Sequence, residues 1–561
     1  PGLPASAQGT EETFYDRVVA DGPDLPTWVG ELYLETHRGT YTTQAPTKRA
    51  NRKNELALRD AEILGVWAQI LGADLDISPL RGAWENLLLL QFHDILPGSS
   101  IGQVYAEAAK DYARIAQTAA AVRDEALAAV TSELGGGDLV VLNTLSWPRA
   151  DVAEATVSDP GDAPVLVSAD GRKWPAQVLS REGGEARIAF SADLPAMGSA
   201  GFAVQSAAAP AEHSLRADAD CLENRFFRIE LSPEGGITRI LDKRGDREVI
   251  PAGGVANDLQ LFQDGPEREA AWNVHDTFDR RRYPWDKGAT VEVVERGPVR
   301  AAVRVTRTYR ESRLVQDVVI YDRVPRIDFV TEVDWQERQV LLKAAFPVDV
   351  RSTRATYEVQ FGAVERPTHR NTSWDEVKFE VAAQQWADLS EAGYGVSLLN
   401  DCKYGYDTVG NVLRLTLLRG AEWPDPDADR GHHALTYSLL PHVGGWDEAE
   451  TVQRAWELNV PALTVAGPGG APAPARSLFT VVGPAILHTV KPADDGRGVI
   501  VRLYEPDGGR GRVRVTAPRP LGRVVACNLV EEDGEEVAAE GNAFAFAIGP
   551  FEIRTFRVTW G

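Results

Sequence analysis

Between Gln44 and about Leu134 the apolar positions recur at helical spacing. Leu56, Leu64, Trp67 and Leu71 fall on or near one stripe, within a segment rich in Lys, Arg, Glu, Ala and Leu. A second helix is predicted after Ser78, which suits an N-cap, with Pro79 at the first helical position. Trp84, Leu87, Leu88 and Gln91 follow at i, i+3, i+4 and i+7, and Pro97 and Gly98 then break the pattern. A third, alanine-rich helix is predicted from about Ile101 to Leu134, ended by Gly135, Gly136 and Gly137. Three helices joined by short loops read as an antiparallel bundle. Ahead of them the pattern predicts a short helix near Glu11 to Val19 and a strand-like run from Trp28 to Leu34.

After Asp138 the period shortens to two. Runs such as Val299 to Thr308, Arg326 to Val333, Val412 to Leu418 and Val499 to Leu503 alternate apolar with polar residues between Gly, Pro and Asp turns. This stretch is too long for one sandwich. The predicted fold class is therefore α+β and multidomain: a three-helix bundle followed by mainly antiparallel β-sandwich domains. Ser206 to Pro210 and Gly467 to Ala475, mostly small residues and Pro, read as linkers. The expected units are 1–43 as a junction, 44–136 as the bundle, 137–210 as a small sandwich, 211–470 as a large one and 471–561 as the last.

Length supports this division, since 561 residues at roughly 150 per domain suggest three or four domains. With 43% hydrophobic and 25% charged residues the chain reads as globular. The longest apolar runs, such as Leu87 to Leu90, fall far short of the roughly 20 residues of a membrane span, so no membrane partner is expected. Lys plus Arg is 59 against 82 Asp plus Glu, a formal charge of −23 that repels a phosphate backbone and argues against nucleic acid. Cys221, Cys402 and Cys527 are odd in number, widely separated and outside any CxxC motif, which fits a reducing compartment or plain buried thiols. The chain begins at Pro1 and its only methionine is Met197, which reads as a processed protein or the later part of a longer one.

The most informative stretch for chemistry is WENLLLLQFHDILPGSSI, Trp84 to Ile101, where His93 and Asp94 sit at the end of an apolar helix. A helix dipole favours histidine there, so a structural terminator is one reading. The other is that neutral imidazole ligates a metal while the adjacent carboxylate binds substrate hydroxyls. One histidine is not a metal site, and the others supply no obvious partner. His432 and His433 would point to opposite faces of a strand. His275 with Asp276 reads as a loop hydrogen-bond pair. Asp425, Asp427 and Asp429 alternate as in a calcium loop, but Arg430 stands where the loop glycine belongs and Thr436 where the bidentate Glu belongs. No HExxH, nucleophile elbow, phosphate loop or dinucleotide fingerprint occurs. The aromatic and polar residues of Trp28 to Pro46 suit a carbohydrate, whose C–H faces stack on rings, as well as they suit a plain connection.

The same segments resemble glycoside hydrolase family 38 α-mannosidases. GELYLETHRGTYTTQAPTKRANRKNE (Gly30 to Glu55) is similar to the junction between catalytic barrel and helical bundle, and WENLLLLQFHDILPGSSIGQVY (Trp84 to Tyr105) to the zinc-ligand helix. VLNTLSWPR (Val141 to Arg149), NDLQLFQDGP (Asn257 to Pro266), THRNTSWDEVKFEV (Thr368 to Val381), LLNDCKYGYD (Leu398 to Asp407) and DPDADRGHHALTYSLLPH (Asp425 to His442) are similar to its β portion, in the expected order. The likeness is to the cytosolic or vacuolar branch, which implies a cytoplasmic location.

The resemblance implies a zinc-dependent, retaining exo-α-mannosidase acting on mannose-containing oligosaccharides, in which two carboxylates do the covalent chemistry and zinc grips vicinal hydroxyls. It makes His93 a zinc ligand and Asp94 a substrate-binding residue, with Arg38 and Arg430 as further lining. It allows a homo-oligomer. The family's remaining zinc ligands and its nucleophilic aspartate lie in an N-terminal barrel with no counterpart before Trp28. The resemblance therefore implies a C-terminal part, with residues 1–43 as the barrel's tail, no catalytic residue of its own and no hydrolysis by itself. The rival reading is a non-catalytic carbohydrate-binding or structural β module. A metallo-phosphoesterase would need clustered His and Asp ligands that the sequence lacks.

Overall fold

A computed structural model describes residues 6–208, 212–266 and 268–561. The end of the Ser206–Pro210 linker, with the boundary expected at 210/211, lies outside the described residues. Two compact units are present, 1–35 and 36–561. In the first, α1 (Glu11–Ala20) is capped by Thr10, whose Oγ1 accepts from Thr13 N at 3.3 Å, with Glu11 and Glu12 in the first turn. The strand expected at Trp28–Leu34 does not form: the run pairs with no strand among the described residues, and Val29 and Leu32 are exposed. An alternating pattern gives a strand only where a neighbour takes up its backbone groups.

The second unit opens with α2 (Ala45–Ile70), α3 (Pro79–Leu90) and α4 (Gly102–Leu134). Leu58, Leu64 and Trp67 of α2 share a core with Leu80 and Leu87 of α3 and with Tyr112, Ile115 and Val122 of α4. On α3 the buried positions are Leu80, Ala83, Leu87 and Leu90, while Leu88 and Leu89 face outward with Phe92. The apolar run there exceeds what one helix face can bury. No helix among the described residues is long and apolar enough to cross a membrane.

The rest is mainly β, in six sheets whose pairings are antiparallel throughout the described residues. Gly137–Asn143 pairs on one side with Gly198–Ser206 and on the other with Leu463–Gly469, so the first sheet is completed by a strand from far along the chain. A nine-stranded sheet is centred on Ser312–Tyr321, Ile327–Trp335 and Gly431–Val443. A six-stranded sheet contains Asp258–Gln263, Val340–Pro347 and Val412–Arg419. Phe329 and Tyr437 of the nine-stranded sheet meet Phe346 of the six-stranded one at ring separations of 5.5 and 6.1 Å, which places a core between them. The last two sheets, of four and five strands, close around Phe544, Phe546 and Phe556.

Helix α2 ties these layers together. Arg52 donates to Asn400 Oδ1 at 2.8 Å and to Gln384 O at 2.9 Å, and Arg59 donates to His488 O at 2.7 Å and Thr144 O at 3.0 Å. Buried guanidinium groups cost several kcal/mol unless their donors are used, and here carbonyls of the β region use them.

Candidate functional site

Three segments meet at the N-terminus of α2. The first is the junction, where Gly39–Tyr41 forms a short 3-10 turn and Gln44 enters α2 with φ +59°. The second is the acidic loop before Gly431–Val443, where Asp429 has φ +63°. The third is the turn after α3, where Asp94 has φ +68°. Left-handed backbone is uncommon outside glycine, and its gathering here marks a place where surroundings outweigh local preference.

Asp429 stands in for the missing N-cap of α2. Its two oxygens accept from Gln44 N at 3.0 Å and Ala45 N at 2.6 Å, so a residue remote in sequence satisfies the orphan amides. Burial pushes its carboxyl up to about 6, against those hydrogen bonds and the Lys403 and Lys48 ammonium groups, which pull it down. Asp425 accepts from Gln44 Nε2 at 2.7 Å, and Asp427 accepts from Arg338 at 2.9 Å and Arg430 at 3.0 Å. The alternating aspartates that resemble a calcium loop thus accept from protein donors, Asp425 and Asp429 from Gln44 and Asp427 from arginines.

Lys48, in the first turns of α2, opposes the helix dipole, yet it is buried. Its Nζ donates to Thr43 O at 2.5 Å, Leu96 O at 2.9 Å and Pro97 O at 3.1 Å. Burial lowers its pKa to about 7, Asp429 acting in the opposite sense.

The turn itself is internally braced. Ser99 Oγ donates to Asp94 Oδ1 at 2.6 Å and Ser99 N to Asp94 O at 3.1 Å. Tyr105 OH also donates to Asp94 O, at 2.9 Å, and accepts from Ser100 N at 2.7 Å. Gly98, with φ +91°, lies so close to the Thr43 carbonyl that a Cβ would collide with it. At Gly102 a Cβ would stand 2.9 Å from Asp425 Oδ1.

His93 is exposed at the tip of this turn, its ring 4.2 Å from that of Phe92. Arg430 is also exposed, bonded to Asp427 and to Gln336 Oε1 at 3.3 Å. The structure therefore gathers His93, Asp94 and the Arg430 loop around the start of α2. Arg38 differs. It is buried, its Nε and Nη2 donate to Val377 O at 2.9 and 2.8 Å, and its guanidinium lies 4.4 Å from the Phe379 ring centre. His275 Nδ1 lies 3.3 Å from Asp276 Oδ1 but accepts a hydrogen bond from Thr277 N at 3.2 Å, so the loop bond expected with Asp276 goes to Thr277, and His432 and His433 take exposed and buried sides of their strand. Sequence reasoning missed Lys48 and the capping role of Asp429. The available signal was a lysine near the start of a helix with no acidic residue in its first turn.

The exposed imidazole suits one ligand position of a zinc ion. A complete shell is another matter, since among the described residues no group of three or more His, Cys, Asp or Glu stands together as a metal would need. A polar cleft of about 420 Å³ lined by Arg247, Asp349, Arg351 and Glu391 shares no residue with this site.

Comparison with known proteins follows the same segments. Residues 35–130 match the alpha mannosidase middle domain, 222–427 the glycosyl hydrolases family 38 C-terminal domain, and 484–556 the family's C-terminal beta sandwich domain. The chain is 36% identical to alpha-mannosidase 2C1 of Homo sapiens over 98% of its own length and 52% of the relative's. It is 30% identical to alpha-mannosidase of Saccharomyces cerevisiae over 98% and 50%. It thus spans about half the length of the curated relatives it matches. The crystal structure of an alpha-mannosidase from Enterococcus faecalis V583 shares the fold at TM-score 0.79 and 18% identity, covering 98% of this chain and 72% of that one.

Proposed function

Because the chain belongs to glycoside hydrolase family 38, we propose that it is part of a zinc-dependent, retaining exo-α-mannosidase that removes terminal α-mannose from glycans. In this reading the chain supplies one wall of the active site together with the β domains. The observation that carries it is the exposed His93 on a turn braced through Asp94, set beside the acidic loop that presents Arg430.

His93 is a zinc ligand in this reading, and the remaining ligands come from outside these residues. A bound zinc would act as a Lewis acid toward vicinal sugar hydroxyls. Asp94 and Arg430 bind the sugar, the carboxylate accepting from hydroxyls and the guanidinium donating to them. Arg38, buried with its guanidinium bonded to Val377 O, takes no direct part in sugar binding in this reading. The nucleophile and the acid/base carboxylate are not among these residues, so the isolated chain does not hydrolyse mannosides. A cytoplasmic location accords with three cysteines that form no disulfide.

The test is mannose binding by calorimetry, with and without zinc, for the enzyme and for His93→Ala. Zinc-dependent binding that the substitution abolishes is the expected result. Metal-independent mannoside binding, unchanged by the substitution, would instead favour a carbohydrate-binding β module.

A further inference from the structure

Lys48 poses a physical problem. A buried ammonium at the positive end of a helix dipole is unfavourable twice over, through desolvation and through the dipole. Replacing such a group by an apolar side chain of similar volume is often neutral or stabilising. Its presence therefore asks for a role other than stability.

The geometry supplies one. An ammonium has three donors and no acceptor, and all three of Lys48 are taken by carbonyls from two separate segments, Thr43 on the junction and Leu96 and Pro97 on the turn. Asp429 balances the charge while capping the same helix, and Lys403, also buried, adds a second positive charge close to that carboxylate. Asp429 and Arg430 are neighbours in the acidic loop. The start of α2 thus joins the His93–Asp94 turn, held through Lys48, to the loop that carries Arg430, held through Asp429.

We propose that Lys48 is a positioning residue, which holds the His93–Asp94 turn in fixed register with the Arg430 loop so that both meet the sugar together. The inference rests on the reading of His93 and Asp94 given above. Lys48 touches no substrate; it acts through the carbonyls of Leu96 and Pro97.

The experiment compares Lys48→Met, Lys48→Arg and Leu64→Ala. Leu64 lies in the helical core and serves as a control for plain destabilisation. Amide exchange is followed at Gly98, which donates to Ile95 O, and at Ser99, which donates to Asp94 O. In Lys48→Met these two amides are expected to exchange at least about tenfold faster while α4 amides keep their rates. In the form of the enzyme that hydrolyses an aryl α-mannoside, kcat is expected to fall about tenfold or more with KM changed less than about threefold. Lys48→Arg restores part of both effects. Leu64→Ala lowers the melting temperature without loosening the turn selectively. Unchanged turn exchange in Lys48→Met, or turn and α4 loosening together as in a general loss of stability, overturns the proposal. A His93→Ala enzyme that keeps full activity would sink the site reading on which this rests, and the exchange rates would still report separately whether Lys48 holds the turn.

Discussion

At the scale of single residues, exposure separates chemistry from scaffolding. His93 sits in solvent at the end of a turn and supports no core. In the full-length enzyme His93→Ala is expected to abolish mannoside hydrolysis through metal loss, while between zinc-free proteins it changes stability by no more than about 0.5 kcal/mol. Melting temperature and zinc content check the two halves of that statement, and retained zinc with retained activity removes the metal role. His433 behaves in the opposite way. It is buried, its Nε2 donates to Asp429 O at 2.7 Å, and burial lowers its pKa from 6.5 to about 4. The unfolded chain takes up this proton below about pH 6.5 and the fold only near 4. The stability held above 6.5 is thus lost as pH falls through that window, by about 3 kcal/mol in all. Denaturant unfolding of the protein and of His433→Gln across pH 4 to 7 should show a shallower decline in the variant, and parallel declines would exclude His433 as the cause. His93 and Asp94 were legible in the sequence because they interrupt an apolar run. Lys48 and Asp429 were not, because a partnership between residues so far apart exists only once the acidic loop folds over the helix.

At the scale of elements, the helices show what periodicity can and cannot deliver. The start of α3 followed from Pro79, though Ser78 makes no side-chain cap, and the end of α4 from the glycines after Leu134, whereas α3 stops at Leu90, well before Pro97 and Gly98. The faces followed less well. Leu87 and Leu88 look equivalent in a stripe, yet one is fully buried and the other is 59% exposed. Nor did the stripe on α2 reveal that Arg52, Arg59 and Asp60 would be buried, since their partners belong to the β region. The difference is measurable: Leu64→Ala on α2 should cost about 2–5 kcal/mol by leaving a cavity. Leu89→Ala on the exposed face of α3 should stay within about 0.5 kcal/mol. Similar losses for both in chemical denaturation would mean that the outward face of α3 is packed.

At the scale of the whole molecule, the mainly antiparallel β architecture was legible in the two-residue period after Asp138. What escaped was strand partnership across long separations. Leu463–Gly469 completes the sheet begun by Gly137–Asn143, and nothing local in either strand names the other. The same holds for function. The family can be read from this chain, while the proposed function has the carboxylates that cleave the bond come from outside these residues. The most direct measurement is hydrolysis of an aryl α-mannoside, with zinc content, by this chain and by one extended upstream to the length of its relatives. Activity with about one bound zinc in the extended chain alone is the predicted result. Turnover by the present chain would contradict it, because the nucleophile would then lie within these residues.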